Sequence, residues 1–556
     1  MPKMTGGQFL AETMQGYGVT HAFFVPAVVR KALLEMERVG IKRIVTHGEK
    51  AAAYMADGYA RASDRPSVCM AQSVGAANLA AGLQDAYLGG SPVVAITGHR
   101  PLMHQYRNSY QEIEHSRPFS SVTKYSVVVD SVDQLPHLIR QAFRETTSGA
   151  PGPVHLDFQG NSGELIVDTE GDLTVIAEAT FAQRPAFRPV PEPERVREAA
   201  QVLAGAQRPV IVAGGGVTAS QAQQQVVQLA ELLSIPVATS LNAKGAIPDD
   251  HPLSVGVCGS YSRWCANRVV AEADLVLFIG SHTGDQVTLN WKIPPAGTPV
   301  IQIDIDPSEL GRSYPTQVAL QGDARATLVQ LIEALEPMAG RAGWVGRAQE
   351  LVREWRDEVA SLVGSEAVPI RPERLCAELT KFLPSDALLV ADTGHAGIWT
   401  GAMVDLNQPG QGYIRAAGSL GWGLSAALGA KCALPGRPVL CFTGDGGLWY
   451  HIAELETAAR YGINAVIVVN NNHSLNQDKR GTEKVYEGYS GNSDEVWQFR
   501  EVDFAHLAET MGCFGIRVDQ PGQIQRALEQ ALASGRPALV DVVTDIEGVA
   551  PLPWGG

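Results

Sequence analysis

A short β-branched run that enters through a proline turn and leaves through glycine recurs along this chain, and no other feature restricts its fold as strongly. It occurs as SPVVAITG (91–98), RPVIVAGGG (208–216) and RPVLCFTGDGG (437–447), with related runs VHLDF (154–158), VIQIDID (300–306) and PALVDVV (537–543). Unbroken Val/Ile runs suit strands buried on both faces, as in a parallel sheet. Amphipathic segments such as VREAAQVLAGA (196–206) and QIQRALEQALASG (523–535) lie between them. Strand alternating with helix predicts an α/β fold of doubly wound parallel sheets.

At a prior of roughly 150 residues per domain, 556 residues make three to four domains. Two breaks divide the chain. QRPAFRPVPEPE (183–194) carries four prolines and continues neither a helix nor a central strand. Further on, a predicted long helix over about 343–363 is followed by GSEAVPIRPE, after which alternation resumes. The domains are therefore expected near 1–182, 190–340 and 365–556. Hydrophobic residues at 45% against 19% charged support large cores in each.

Forty-four Lys and Arg against 59 Asp and Glu leave a net charge of −15 with no basic cluster, so nucleic acid is not expected as a partner. No apolar run reaches the ~18 residues of a membrane helix. The opening MPKMTGGQFLAETMQGYG lacks the apolar stretch of a secretory signal. Seven scattered cysteines without a CxxC pair read as reduced thiols of a cytoplasmic protein.

The densest chemistry lies between Pro438 and Gln477. The pattern predicts a strand (438–443), a Gly-Asp-Gly-Gly turn, a helix (about 448–461) and a strand (464–470) running into three asparagines. A right-handed crossover makes the strands parallel, so Asp445 and Asn472 should meet at one sheet edge although they lie 27 positions apart. Their oxygens are hard ligands suited to Mg²⁺. Gly446 and Gly447 leave backbone N–H groups free for a phosphate at a helix start. Alone, Gly-Asp-Gly would be an ordinary βα turn with a capping Asp. Followed by Asn-Asn one βαβ unit later, it points to a metal-bridged diphosphate.

Gly444-Asp445-Gly446, a 24-residue spacer (447–470) and Asn471-Asn472 match the signature of thiamine-diphosphate enzymes. The chain resembles their acetolactate synthase-like group over nearly its whole length. That resemblance implies a pyrimidine-binding domain (1–182), a Rossmann-like central domain (190–340) and a diphosphate-binding domain (365–556). It implies Mg²⁺ ligands at the side chains of Asp445 and Asn472 and at the Ser474 carbonyl, with Gly444, Gly446 and Gly447 around the diphosphate. It also places His395 near the diphosphate, Leu420 under the bend of the cofactor and the Gly418 carbonyl against its 4′-amino group.

Thiamine chemistry requires that thiazolium C2 lose a proton, which needs a carboxyl bonded to the aminopyrimidine. Glu49, in IVTHGEKAAAYMADGYARAS (44–63), follows an apolar strand and opens a small-residue helix, and it matches the family position for that acid. An apolar pocket would raise its pKa into the useful range. In the family this residue faces the diphosphate domain of another subunit, so a homodimer is the smallest expected active assembly and a homotetramer is compatible.

Tyr110 and Gln111 resemble an aromatic-Gln-Glu triad of the substrate pocket. Tyrosine stands where phenylalanine is usual, adding a hydroxyl that would need a partner if buried. Val25, Pro26 and Ala27 lie in the loop expected over the thiazolium, where Pro-Ala-Val replaces the usual Pro-Gly-Gly and tightens the pocket. SVGAAN (73–78) lacks the proline of the corresponding family loop. No histidine pair stands near either loop, which argues against a simple 2-keto acid decarboxylase. In the central domain, Thr283-Gly284-Asp285-Gln286 replaces the Phe-Asp-Asp-Arg of flavin-dependent relatives, which argues against FAD. The tail DIEGVAPLPWGG has no Lys or Arg, placing a 2-hydroxyacyl-CoA lyase or oxalyl-CoA decarboxylase reading second.

The expectation is thus a thiamine-diphosphate- and Mg²⁺-dependent carboligase or lyase acting on a 2-keto acid or related carbonyl compound. A nicotinamide oxidoreductase built on the glycines of 212–222 is a rival that sequence leaves open, because Glu231 lies near the position of the expected acid. A catalytically silent paralogue would be marked by loss of the acid, and Glu49 is present.

Overall fold

The computed structural model describes residues 3–337 and 340–554. Three six-stranded parallel sheets follow one another along the chain. The first holds β1 (His21–Phe24), β2 (Lys42–Val45), β3 (Ser67–Gln72), β4 (Val93–His99), β5 (Tyr125–Val129) and β6 (Val154–Gln159), in the order β2-β1-β3-β4-β6-β5. The second holds β7 (Pro209–Ala213), β8 (Val237–Thr239), β9 (Ser254–Val257), β10 (Leu275–Ile279), β11 (Val300–Asp304) and β12 (Val318–Gln321), in the order β9-β8-β7-β10-β11-β12. The third holds β13 (Leu388–Ala391), β14 (Gly412–Arg415), β15 (Val439–Gly444), β16 (Val466–Asn471), β17 (Phe514–Val518) and β18 (Ala538–Val543), in the order β14-β13-β15-β16-β18-β17. Every residue of β7, β10 and β11 is buried, because helices cover both sheet faces. That double cover is why these strands read as unbroken apolar runs. A small antiparallel pair, Lys3–Thr5 with Glu170–Asp172, closes the first unit.

In each sheet the chain winds outward from a central strand and then restarts on its other side. The reversal falls between β1 and β3, between β7 and β10, and between β13 and β15. Doubly wound sheets bind ligands at such points, beyond the carboxyl ends of the strands.

The first and third sheets are joined by helix α1 (Glu49–Ser63), helix α2 (Gly75–Leu88) and a counterpart from the third unit, introduced below. A later helix connects the second and third units. Helix α3 (Ala342–Val363) spans 22 residues and packs Trp344, Leu351 and Trp355 into the core shared by the second and third sheets. Helix α4 (His395–Met403) follows β13, and helix α5 (Trp422–Ala433) follows β14. Helices α1 and α5 lie antiparallel. A methyl group at Gly58 would strike the Ala426 backbone, and one at Gly429 the Met55 backbone, so both positions need glycine for this approach. A buried polar clasp fixes the register. The Arg61 Nε donates to Asp57 (2.8 Å), Trp422 Nε1 donates to the same carboxylate (2.8 Å), and Arg61 Nη1 donates to the Arg415 carbonyl (2.8 Å).

One expected element differs. The helix predicted over 448–461 is two pieces, α6 (Asp445–Trp449) and α7 (Glu454–Tyr461). Between them Tyr450 packs against Gly421, the His451 ring meets the Tyr54 ring edge-on at 5.5 Å, and Glu454 accepts from the His47 N–H at 2.9 Å. The break lets the segment bend over α1. Among the described residues no helix is long and apolar enough to cross a membrane.

Candidate active site

Four loops of the third unit converge where its sheet order reverses. The turn after β15 begins α6 with Asp445, and the segment after β16 turns back through Asn472 and Ser474. Asp445 is almost fully buried, and burial pushes its carboxyl up to about 7, although backbone N–H groups of Asp445, Ser474, Gly446 and Asn472 pull the other way. Its Oδ1 has no hydrogen-bond partner among the described residues. The Asn472 Oδ1 accepts from Ser474 Oγ at 2.8 Å and keeps a second lone pair. A lone buried carboxylate oxygen beside a carboxamide oxygen is a donor set for a hard divalent cation. The surroundings leave room for its ligand, because a side chain added at Gly418 or Gly444 would meet nothing within 4 Å.

Asp392, at the end of β13, organises this pocket and was not singled out from sequence. Its Oδ1 accepts from the N–H groups of Thr393 (2.7 Å) and Gly421 (3.0 Å). Its Oδ2 accepts from the Gly423 N–H (3.1 Å) and the Thr443 hydroxyl (3.2 Å). Burial pushes Asp392 up to about 6 against those donors. One carboxylate therefore ties the 418–423 loop, which carries Gly418 and Leu420, to the strand that delivers Asp445. His395 starts α4 at the same edge, with Nδ1 buried and unpartnered and its pKa pushed down to about 4, chiefly by burial.

A second set of loops lines the carboxyl edge of the first sheet. Glu49 starts α1 there, half-buried, with Oε2 accepting from Asn78 Nδ2 at 3.1 Å and Oε1 facing Gly75. Ala27, Val29, Ser73 and Gln111 all adopt left-handed backbone, at φ of 77°, 37°, 23° and 63°. Strained non-glycine residues gathered on one rim mark a place where geometry has been kept at a cost. The rim is tied together by Ser73 N–H donating to Gly98 O (3.0 Å), Ser73 Oγ donating to Gln111 O, and Val29 N–H donating to Ser162 O (2.6 Å). Val25 and Ala27 are half-buried and Pro26 is exposed.

Within one chain these two sets stand apart. The 418–421 loop adjoins the amino end of α5, beside Arg61, whereas Glu49 lies at the opposite end of the antiparallel α1, past Met55. Helix α5 alone has 12 residues, about 18 Å at 1.5 Å per residue.

Models of the thiamine pyrophosphate enzyme family match the chain in three pieces: the N-terminal TPP binding domain at 4–117, the central domain at 196–331 and the C-terminal TPP binding domain at 392–542. A probable acetolactate synthase large subunit of Methanocaldococcus jannaschii is 32% identical over all of this chain and 94% of its own length. The acetolactate synthase isozyme 2 large subunit of Escherichia coli is 32% identical, covering 99% of this chain and 97% of its own. Its isozyme 1 counterpart is 30% identical at 98% and 95%. The chain belongs to the acetolactate synthase-like thiamine-diphosphate enzymes.

As a member of that family it is an enzyme of thiamine-diphosphate-dependent carboligase and decarboxylase chemistry. The nicotinamide rival falls with that assignment. Tyr110 is 77% exposed, with its ring centroid 5.8 Å from the Arg100 guanidinium carbon, so nothing forces its hydroxyl to find a partner in the single chain. The residues that sequence reading missed are Asp392, the Asp57–Arg61–Trp422 clasp, and Asp85, whose Oδ1 accepts from the Ala417 N–H. In the central unit a cleft of about 800 Å³ opens at the β7/β10 reversal, lined among others by Gly215, Ser281, Gln286, Asp306 and Arg415. There the Arg415 guanidinium, delivered by β14, donates to Asn242 Oδ1 at 2.8 Å and to Gln286 Oε1.

Proposed function

We propose that two copies of this chain form two sites, each joining Glu49 of one copy to the Asp445 pocket of the other. The reaction proposed is decarboxylation of a 2-keto acid and carboligation of the remaining acyl unit to a second carbonyl compound. The reading is carried by the orphaned, buried Oδ1 of Asp445, which a bound cation would satisfy. A homodimer is the minimum assembly and a tetramer of such dimers is compatible. Exposed apolar side chains at Leu102, Met103, Tyr106 and Tyr110 on the first unit, and at Tyr450, Val485 and Phe499 on the third, support burial against a second copy.

Asp445, Asn472 and the Ser474 carbonyl would hold Mg²⁺, and the Gly444–Gly447 turn with His395 would take the diphosphate. Gly418 and Leu420 would support the bend of the cofactor. When bound, the cofactor supplies a nucleophilic carbon and a sink for the electron pair released with CO₂. Asn78 fixes one oxygen of the Glu49 carboxyl, which would exchange a proton with the aminopyrimidine of the bound cofactor. Val25, Pro26, Ala27, Tyr110 and Gln111 line the approach and exclude water, which favours loss of a carboxylate as neutral CO₂. We place FAD outside this enzyme, since Thr283-Gly284-Asp285-Gln286 supplies no arginine where the flavin-dependent relatives carry one. The purified protein should then carry no flavin absorbance. Seven free thiols, six of them buried, favour a reducing compartment such as the cytoplasm.

The test is incubation with Mg²⁺, thiamine diphosphate and a panel of 2-keto acids, following CO₂ and new C–C bonds by mass spectrometry. Cleavage of 2-hydroxyacyl-CoA without any 2-keto acid turnover would overturn the reading. A pH prediction accompanies the metal site. In the cofactor-free protein the Asp445 carboxyl sits at about 7, so a cation must displace a proton below that pH. Mg²⁺ affinity should fall about tenfold per pH unit below 7, and level off above it. Calorimetry in buffers of different ionisation enthalpy should count one proton released per metal bound at pH 6, and a pH-independent affinity would remove Asp445 from the metal site.

A further inference from the structure

Arg100 follows β4 directly, on the rim that carries Ala27, Ser73 and Gln111. Its Nε and Nη2 are both buried and have no hydrogen-bond partner among the described residues. These two atoms form the side-on edge of a guanidinium, which presents two parallel N–H groups and matches a carboxylate in bidentate fashion. A charged fork desolvated without a partner is unfavourable, so the site is shaped for an anion that arrives later.

The acid on the neighbouring strand β6 is already taken. Asp157 accepts from Thr97 Oγ1 at 2.6 Å, and its two oxygens face His115 Nδ1 at 3.0 Å and His99 Nδ1 at 3.4 Å. Burial raises its carboxyl, but the hydrogen bond with His115 and the nearby His99 ring outweigh that and hold it well below the usual carboxylate range. Its charge is thus satisfied beneath the rim. Beside it, burial pushes His155 down to about 3, keeping that imidazole neutral. The Tyr110 ring centroid lies 5.8 Å from the guanidinium carbon of Arg100, whose Nε and Nη2 remain the unpartnered atoms.

We propose that Arg100 is a specificity-determining residue that holds the carboxylate of the acceptor. This rests on the reaction proposed above. The donor must lose its carboxylate, and a bidentate clamp on that group would stabilise the ground state that has to be left. A carboxylate that persists through the reaction is the one an arginine can hold. The balance is a donor 2-keto acid, an acceptor 2-keto acid and one proton going to CO₂ and a 2-hydroxy-3-keto acid. The bond to the departing CO₂ breaks, its electron pair forms the new C–C bond, and the acceptor carbonyl oxygen takes the proton.

The experiment titrates the holoenzyme with oxamate, an unreactive 2-keto acid mimic bearing one carboxylate, and with its uncharged counterpart oxamide. Wild type should prefer oxamate by about tenfold or more, Arg100→Gln should level the two, and Arg100→Lys should retain part of the preference. In turnover, the ratio of kcat/KM for a 2-keto acid acceptor over an uncharged aldehyde acceptor should fall by about tenfold in Arg100→Gln and partly recover in Arg100→Lys. Equal affinity of wild type for both probes would assign the fork to a carboxylate of the second subunit and overturn the proposal. An unchanged acceptor ratio in Arg100→Gln would do the same. Absence of any thiamine-diphosphate-dependent turnover would reject the proposed reaction instead, while the oxamate titration would still decide whether Arg100 reads a carboxylate.

Discussion

Glu49→Gln is expected to lower turnover by about 10²–10⁴-fold while the cofactor still binds. Glutamine keeps the length and shape of the side chain and can still accept from Asn78 Nδ2. What it loses is the ability to take up or release a proton, so only the proton-handling part of the site is removed. The position has few structural duties to confuse the result: Glu49 is half-buried at the first residue of α1, and no core contact depends on its charge. Steady-state kinetics paired with a cofactor titration separates the two effects. Turnover within about twofold of wild type would remove Glu49 from the chemistry.

Asp445→Ala should act on binding, with opposite signs in the empty and loaded protein. Mg²⁺ and the cofactor should weaken together by about 10²-fold or more, since even indirect partners of a metal are worth 10–100-fold. In the empty protein the carboxyl of Asp445 is raised to about 7, above its unfolded value. A group raised in this way stabilises the fold while protonated, and that contribution is lost as pH rises through the folded-state value. Above pH 7 the empty wild type therefore carries a buried, unpaired charge that Asp445→Ala lacks. At pH 8 the empty variant should melt no lower than wild type, and the rise in melting temperature on adding Mg²⁺ and cofactor should largely vanish. An undiminished cofactor-induced rise would contradict the site. Such a trade between stability and binding is what a preformed metal site requires.

The layered α/β architecture was legible because a strand covered on both faces has to be apolar at every position, as in LVLFI (275–279). Asp445 and Asn472 were legible because one βαβ unit converts a sequence spacing into a spatial meeting. Asp392 was not, because its role depends on amides of Gly421 and Gly423 that a separate helix and strand bring to it. The break at Tyr450–Ala453 was invisible for a similar reason: the intervening residues read as helix, and only contacts with Gly421, Tyr54 and His47 bend them. Ala27 shows a middle case. Its replacement of glycine was plain in the sequence, but the left-handed backbone at φ 77° that makes the replacement strained belongs to the structure. Arg100 carries no motif, and only the absence of a partner for its buried fork draws notice.

The separation of Glu49 from the Asp445 pocket along α1 and α5 makes subunit exchange the sharpest test of how the site is assembled. Glu49→Gln and Asp445→Ala proteins, each inactive alone, would be mixed, dissociated and reassociated. If each site draws Glu49 from one copy and Asp445 from the other, half of randomly formed dimers are mixed and each has one intact site of two, so about a quarter of wild-type turnover should return. If both residues serve the same site within one chain, every site in the mixture keeps a defect. No recovery of turnover from a mixture shown to contain mixed dimers would contradict the account.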